Sequence, residues 1–187
     1  MAEIREHEPV LLFLALFSRY DEAIQWGRGR AREAWGEIAL ESEWFSFRET
    51  QFYENTMGSG LKKVLLAFSS LVDPGKLPQR KLETNHWEHL CTQEFSGPES
   101  RPLNLDPGYV TEAKLVLAST KDRDHRIYLS RGIFAENTLF YREGAWRNRP
   151  WTYPDYQRSD YHHFLDRCRD FYRRSKHIPG GGGTGPS

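Results

Sequence analysis

Residues 10–17 read VLLFLALF, a run of apolar side chains without a polar interruption. Such a run predicts a β-strand that is covered on both faces, because a half-exposed strand would alternate apolar and polar side chains. The run is far too short to cross a bilayer as a helix. It therefore predicts a central strand in a sheet that has a layer of structure packed on each side.

The segments after this strand carry helical and strand patterns in turn. Apolar side chains recur at helical spacing through residues 20–35. Residues 38–47 and 61–72 alternate on a two-residue period, which indicates strands, and the polar residues 48–60 between them indicate a loop. A second helix is predicted over about residues 78–94. The order β-α-β-β-α predicts most of a ferredoxin-like α+β sandwich.

Further strands and a final helix complete the predicted fold. Residues 126–129 and 133–142 predict two strands joined by a short turn. Residues 161–172 carry one apolar stripe at i, i+3, i+4 spacing, with Ser159 as a cap before it, which predicts an amphipathic C-terminal helix packed on the sheet. The fold class is thus α+β, with a ferredoxin-like first half extended by further strands. We expect one domain over residues 1–178 and a disordered glycine-rich tail over residues 179–187.

Composition and charge narrow the classes of protein to consider. Lys and Arg number 26, as do Asp and Glu, so the net charge is zero and no overall field favours nucleic acid or an acidic membrane. Cys91 and Cys168 are far apart and lack CxxC spacing, which fits a reduced, cytoplasmic protein with buried thiols. The polar residues 1–9 do not resemble a signal peptide. We expect a cytoplasmic protein whose partner is neither a membrane nor nucleic acid.

The first candidate site lies at Asp106. Asp106-Pro107-Gly108 predicts a tight turn in which the glycine supplies a positive φ. Thr111 suits the cap of a short helix over residues 112–119, although the same residues also fit a strand. A helix N-terminus beside Asp106 would present free N–H groups to an anion. In the alternative interpretation, Asp106 only stabilises the turn.

Charged side chains also cluster around the predicted turn at residues 130–132. His125 and Glu136, together with Asp106, are the candidates for proton transfer or metal binding. The candidate ligand-binding residues are the cations Lys114, Lys121, Arg126 and Arg131, together with Tyr128. Tyr128 is included because it lies on the same face of its predicted strand as Arg126. Arginine binds phosphate and carboxylate groups in a bidentate manner. The alternative is a set of cross-strand ion pairs on a solvated face.

Two other segments carry polar or aromatic clusters. Lys81, Asn85 and Glu88 share one stripe of the second predicted helix, and we expect that stripe to face solvent. His86 and His89 are three positions apart, but no third ligand is placed beside them, so no metal site is predicted. Residues 151–156, WTYPDY, are expected to form a rigid turn that fastens the last helix, although rings around a proline also suit stacking on a base or sugar.

Several motifs occur in an order that resembles a known family. The similar segments are NLDPGY, TKD followed by HRIYL, RG followed by FAENTLFY, and WTYPDY, with ESEWFSF, YENTMG and KLETNHWE before them. They resemble DUF4416, an uncharacterised bacterial and archaeal domain of unknown function, over nearly everything before the glycine tail. Members often carry the automatic label of GTP-binding protein, but the resemblance itself implies little about function.

The sequence does not contain the usual motif for that ligand. No GxxxxGK[ST] phosphate loop is present, and Thr120-Lys121-Asp122 only approaches the TKxD base-reading motif. We therefore expect a phosphorylated or nucleotide-like anion, with GTP as one candidate, to bind at a site that is not a P-loop. The alternative is a non-catalytic adaptor that presents exposed aromatic side chains to another protein. The sequence assigns no cofactor, and enzymatic activity and oligomeric state are left open.

Overall fold

A computed structural model describes residues 3–4, 6–48 and 53–176 of the chain. Its helices are α1 (Asp21–Trp35), α2 (Glu54–Met57), α3 (Leu77–Glu94) and α4 (Ser159–Lys176). Its strands are β1 (Val10–Ser18), β2 (Ile38–Glu41), β3 (Phe45–Ser46), β4 (Lys62–Val72), β5 (Asn104–Val110), β6 (Lys114–Ser119), β7 (Arg126–Ser130), β8 (Ile133–Arg142) and β9 (Ala145–Asn148). Single 3₁₀ turns at Pro74–Lys76 and Pro154–Gln157 precede α3 and α4.

The strands form one antiparallel sheet in the order β2-β4-β1-β5-β6-β8-β7. Helix α1 connects β1 to β2, and helix α3 connects β4 to β5. The four strands β5, β1, β4 and β2 therefore follow the split βαβ arrangement of a ferredoxin-like fold. The predicted α+β class and its ferredoxin-like first half are confirmed.

Strand β1 lies inside the sheet and is buried at every position. Leu12, Leu14 and Leu16 pack on the face covered by α1 and α3. Leu11 and Phe13 pack on the opposite face, which α4 covers with the apolar stripe predicted for it. The sheet is therefore the middle of three layers, because the apolar run of β1 must be buried on both sides.

The second half of the chain adds β6, β8, β7 and β9 to this sheet. Strands β7 and β9 lie end to end along the outer edge of β8, since β7 pairs with Ile133 to Glu136 and β9 pairs with Leu139 to Arg142. The turn between β7 and β8 is built on Arg131 and Gly132, both with positive φ. Two successive residues with positive φ are typical of the two-residue hairpin turns that match strand twist.

Three local predictions differ from the structure. Asp106-Pro107-Gly108 is not a turn but the middle of β5. Residues 112–119 contain the strand β6, which is the alternative left open for them, rather than a helix, so no helix N-terminus lies beside Asp106. Residues 48–60, predicted as a loop, contain the short helix α2, and residues 49–52 lie outside the described part.

A proline within a sheet needs a position where no partner requires its missing N–H. Pro107 meets this condition because β6 pairs with β5 only from Gly108 onward. Gly108 is required for a different reason: a Cβ at this position would lie 2.3 Å from the carbonyl oxygen of Val116. The Pro-Gly pair thus marks the point where β5 and β6 come together.

No helix in the described ranges is long and apolar enough to cross a membrane. The glycine-rich tail predicted over residues 179–187 lies outside these ranges.

Candidate functional site

The two halves of the sheet separate beside Asp106. Strand β5 pairs with β1 from Asn104 to Val110, but it pairs with β6 only from Gly108 to Val110. The segment Asn104 to Pro107 therefore has a strand partner on one edge only. Polar side chains from α3, β5 and the segment before α4 gather at this divergence of the sheet.

Asp106 is the carboxylate at the centre of the divergence, and about 29% of its side chain is exposed. The Lys81 Nζ donates to Asp106 Oδ1 at 3.2 Å, and the Asn104 Nδ2 donates to Oδ2 at 2.8 Å. Burial alone would raise the pKa of Asp106, but the positive charges of Lys81 and Lys63, with Arg101, hold it below its ordinary value. Asp106 is therefore ionised at neutral pH.

Lys81 and Glu88 on α3 face the sheet edge, not solvent, so the expectation of a solvated stripe was wrong. Lys81 is buried, and its Nζ also donates to the carbonyl oxygen of Leu105 at 2.9 Å. Glu88 accepts from the backbone N–H of Leu105 at 2.7 Å and from Arg101 Nη2 at 2.8 Å. Burial raises the pKa of Glu88 despite its cationic neighbours. The α3 side chains thus take the place of a neighbouring strand for part of β5.

A buried ion pair between Lys63 and Asp155 lies on the α4 side of the sheet. The Lys63 Nζ is 2.6 Å from Asp155 Oδ2, and the two side chains are only 3% and 5% exposed. Four aromatic rings surround the ammonium group, with centroids 4.5–5.8 Å from Nζ: Phe17, Phe47, Tyr156 and Tyr161. Rings at this distance stabilise a cation through their quadrupoles, which offsets part of its desolvation.

Glu136, buried on β8, is the centre of a second polar cluster. It accepts from Arg126 Nε at 2.8 Å and from Thr138 Oγ1 at 3.2 Å, and its Oε2 is 3.2 Å from His125 Nε2. We call Glu136, Arg126, His125 and Thr138 the Glu136 network. Arg126 Nη1 donates to the Ser119 hydroxyl and to the Lys121 carbonyl oxygen. Its Nη2 donates to the Tyr153 hydroxyl. Four of the five guanidinium N–H groups therefore have protein acceptors.

The aromatic segment at residues 151–156 joins this network to α4. Trp151 stacks on His125 with a centroid distance of 5.0 Å and donates to the carbonyl oxygen of Asn137 at 3.0 Å. The Thr152 hydroxyl donates to the carbonyl oxygen of Thr138 at 2.6 Å. These two bonds give donor partners to the carbonyl oxygens of Asn137 and Thr138 on β8, in the gap between the residues that pair with β7 and those that pair with β9. Trp151 is half-buried, and Tyr153 is exposed.

Asp106 and the Glu136 network adjoin each other at Tyr153. Burial raises the pKa of the Tyr153 hydroxyl, and the negative charges of Glu136 and Asp106 raise it further. The charges of Asp155 and Asp106 act in the same direction on the buried Tyr156. We call Asp106, Lys81, Lys63, Asp155 and Tyr153 together the Asp106 site.

The remaining candidates from the sequence are placed elsewhere. Lys114 lines a separate open groove of about 460 Å³ with Glu112, Tyr172 and Lys176. Lys121 contributes its carbonyl oxygen to Arg126, while Tyr128 and Arg131 are exposed on the β7–β8 hairpin. Of the eight predicted residues, His125, Arg126 and Glu136 therefore come together, and Asp106 lies in the adjoining site.

Sequence reasoning missed Lys63 and Asp155 and misplaced Lys81. A signal for Lys63 was present, since it is a charged side chain in the apolar β4 segment, LKKVLLAF. Asp155 carried no comparable signal. Within the described residues, no group of three or more His, Cys, Asp or Glu side chains is arranged to hold a metal ion.

Comparison with known proteins gives one match. A family model for a domain of unknown function, DUF4416, matches residues 8–172. Searches of the curated proteins and of the solved structures each returned no match. The matched range contains every strand of the sheet, the Asp106 site and the Glu136 network. The chain therefore belongs to the DUF4416 family.

Proposed function

We propose that this protein binds a small phosphorylated or nucleotide-like anion at the Asp106 site. The observation that carries the proposal is the set of unused donors on two buried lysines. An ammonium group has three N–H donors. Within the described residues, Lys63 donates only to Asp155, and Lys81 donates to Leu105 and Asp106. Two donors of Lys63, which the aromatic rings surround, and one of Lys81 therefore have no acceptor within the described residues.

The partly exposed carboxylate of Asp106 determines which other chemical groups the ligand must carry. Asp106 is ionised and can accept a hydrogen bond from a ligand hydroxyl or ring N–H. A bare phosphate would meet the lysines and also the repulsion of Asp106. A ligand with an anionic group and separate donors, such as a sugar phosphate or a nucleotide, satisfies both kinds of group. Tyr153 adds an exposed ring and a hydroxyl at the edge of the site.

The Glu136 network has a supporting role in this proposal. Arg126 uses four of its five N–H donors on protein acceptors, so its main role is to hold Glu136 and Tyr153 in place rather than to bind an anion. An anion that replaced Glu136 as the acceptor of Arg126 would leave a buried carboxylate without one of its partners, which costs about 1–3 kcal/mol. The lysines carry no such cost.

A binding panel with matched variants tests the proposal. Inorganic phosphate, sugar phosphates and guanine and adenine nucleotides, each with and without Mg²⁺, are added while thermal unfolding is followed, because a ligand that binds only the folded state stabilises it. At least one phosphorylated compound is expected to raise the melting temperature. Calorimetric titration of that compound into Lys81→Met should show at least a tenfold loss of affinity, whereas Lys114→Met, in the other groove, should bind normally.

Two outcomes overturn the proposal. One is that no compound shifts the melting temperature or gives heat on titration. The other is that Lys81→Met, shown by circular dichroism to be folded, binds the compound as tightly as the unchanged chain. Asp106→Asn separates the two roles at the site: it should weaken binding of ligands with hydroxyl or ring N–H donors while strengthening that of inorganic phosphate.

A further inference from the structure

Strand β7 exposes three apolar side chains in succession at the end of the sheet. Ile127, Tyr128 and Leu129 are 72%, 59% and 39% exposed. Isolated exposed apolar residues are ordinary on a protein surface, but a contiguous group is typical of an interaction site. The group lies on the outer strand of the sheet.

The backbone of β7 is also available for pairing. β7 ends the strand order and, among the residues that the structure describes, pairs with β8 alone, so its outer edge has N–H and C=O groups without a strand partner there. Exposed edges are usually protected by lysine, proline or a bulge. The segment RIYLS contains neither lysine nor proline, and its pairing with β8 is irregular only between Tyr128 and Ser130. Apart from this irregularity the edge is apolar and lacks the usual protection, so it is suited to adding another strand.

We propose that β7 pairs antiparallel with β7 of a second copy of this chain, so that the sheet continues across a twofold axis near Tyr128. In this register Ile127 of one copy lies opposite Leu129 of the other, so the exposed apolar side chains of the two copies pack against each other. An isologous contact of this kind closes after two copies. The zero net charge of the chain leaves no overall repulsion between the copies.

The ends of β7 carry complementary charges for this arrangement. Asp124 is exposed just before the strand, and Arg131 is exposed just after it. Antiparallel pairing brings Asp124 of each copy beside Arg131 of the other, so the contact forms twice. A parallel arrangement would instead place like charges together. The strand is short, so we expect a small interface and a reversible dimer.

Analytical ultracentrifugation over a range of chain concentrations tests the proposal. The unchanged chain is expected to shift from monomer to dimer as its concentration rises. Tyr128→Lys and Ile127→Lys should remain monomeric throughout, because a charge would be buried at the centre of the contact. Ile4→Lys is the matched control, since Ile4 is fully exposed and belongs to no strand, and it should dimerise normally.

A charge exchange tests the antiparallel register. Asp124→Arg and Arg131→Asp should each weaken dimerisation, and the double variant should restore it, because the two charges are reversed together. A chain that stays monomeric at all concentrations overturns the proposal, and so does a dimer that persists in Tyr128→Lys. A monomeric pure chain that binds other proteins only through Ile127 to Leu129 also overturns it, in favour of a different partner.

Discussion

Lys63 and Asp155 form a buried ion pair with a separation of 2.6 Å between Nζ and Oδ2, although they are 92 positions apart in the chain. The pair fastens the segment before α4 to strand β4. It is therefore a contact between the ferredoxin-like half and the part of the chain that covers it.

Removing one partner of this pair is expected to be strongly destabilising. Lys63→Met leaves Asp155 buried without its counter-charge, and Asp155→Asn does the same to Lys63. Either change should lower the free energy of unfolding by about 3–5 kcal/mol. The double variant Lys63→Met with Asp155→Leu should lose less than the sum, because no uncompensated charge remains. Urea unfolding measures all three.

The neighbouring lysine supplies a matched control. Lys62 pairs with Asp21 at 2.7 Å, a similar distance, but both side chains are about half exposed. Lys62→Met should therefore change the free energy of unfolding by less than about 1 kcal/mol. Equal effects at Lys62 and Lys63 would contradict the importance given to burial.

Gly108→Ala should disrupt the junction of β5 and β6. Its Cβ would lie 2.3 Å from the backbone oxygen of Val116, which cannot move without breaking the β5–β6 pairing. We expect a loss of about 2 kcal/mol or more in stability. Gly29→Ala is the contrast, because Gly29 is exposed in the middle of α1 with no atom within 4 Å of a new Cβ. That change should stabilise the chain by about 0.5–1 kcal/mol. Thermal unfolding of both variants compares them directly.

The ionisation of Asp106 links stability to pH. Its pKa in the folded chain is lowered, with Lys81 and Lys63 overcoming the effect of burial. The carboxylate therefore contributes stability that is fully present above its unfolded pKa, about 3.9, and is lost as pH falls through the lower folded value. Asp106→Asn should flatten the acid side of the stability profile, measured by urea unfolding from about pH 7 to pH 2. An unchanged slope would contradict this linkage.

The turn between β8 and β9 offers a stabilising change. Glu143 has a positive φ of 53° and is followed by Gly144, also positive. Asparagine adopts this conformation more readily than glutamate, and Asn-Gly is the preferred pair in such hairpin turns. The ion pairs of Glu143 with Arg142 and Arg147 are long and exposed, so losing them costs little. Glu143→Asn should raise the free energy of unfolding by about 0.5–1 kcal/mol. A lower melting temperature would show that the ion pairs matter more than the turn conformation.

The sequence predicted the elements whose patterns are long and regular. The apolar run of β1, the stripe of α4 and the order of the first five elements were enough to indicate a ferredoxin-like sheet with a helix on its second face. The Asp106-Pro107-Gly108 segment misled the prediction because turn preference is local. In the fold, the free edge of β5 accommodates Pro107, and the approach of Val116 requires Gly108.

The site was harder to predict because periodicity does not reveal what a helix face meets. Lys81 and Glu88 were recognised as one stripe of α3, but only the divergence of β5 from β6 gives that stripe buried partners. The pairing of Lys63 with Asp155 depends on where the segment before α4 crosses the sheet, which no local pattern encodes. His125, Arg126 and Glu136 were found because a hairpin places residues near in sequence opposite each other.

The position of α4 in the chain has a consequence for synthesis on the ribosome. Leu11, Phe13 and Leu65 are translated early, yet the side chains that bury them belong to residues 159–176. At about 5–20 residues per second, the nascent chain holds this apolar face of the sheet uncovered for several seconds. During that interval aggregation competes with folding, and the outcome depends on how soon the final helix emerges.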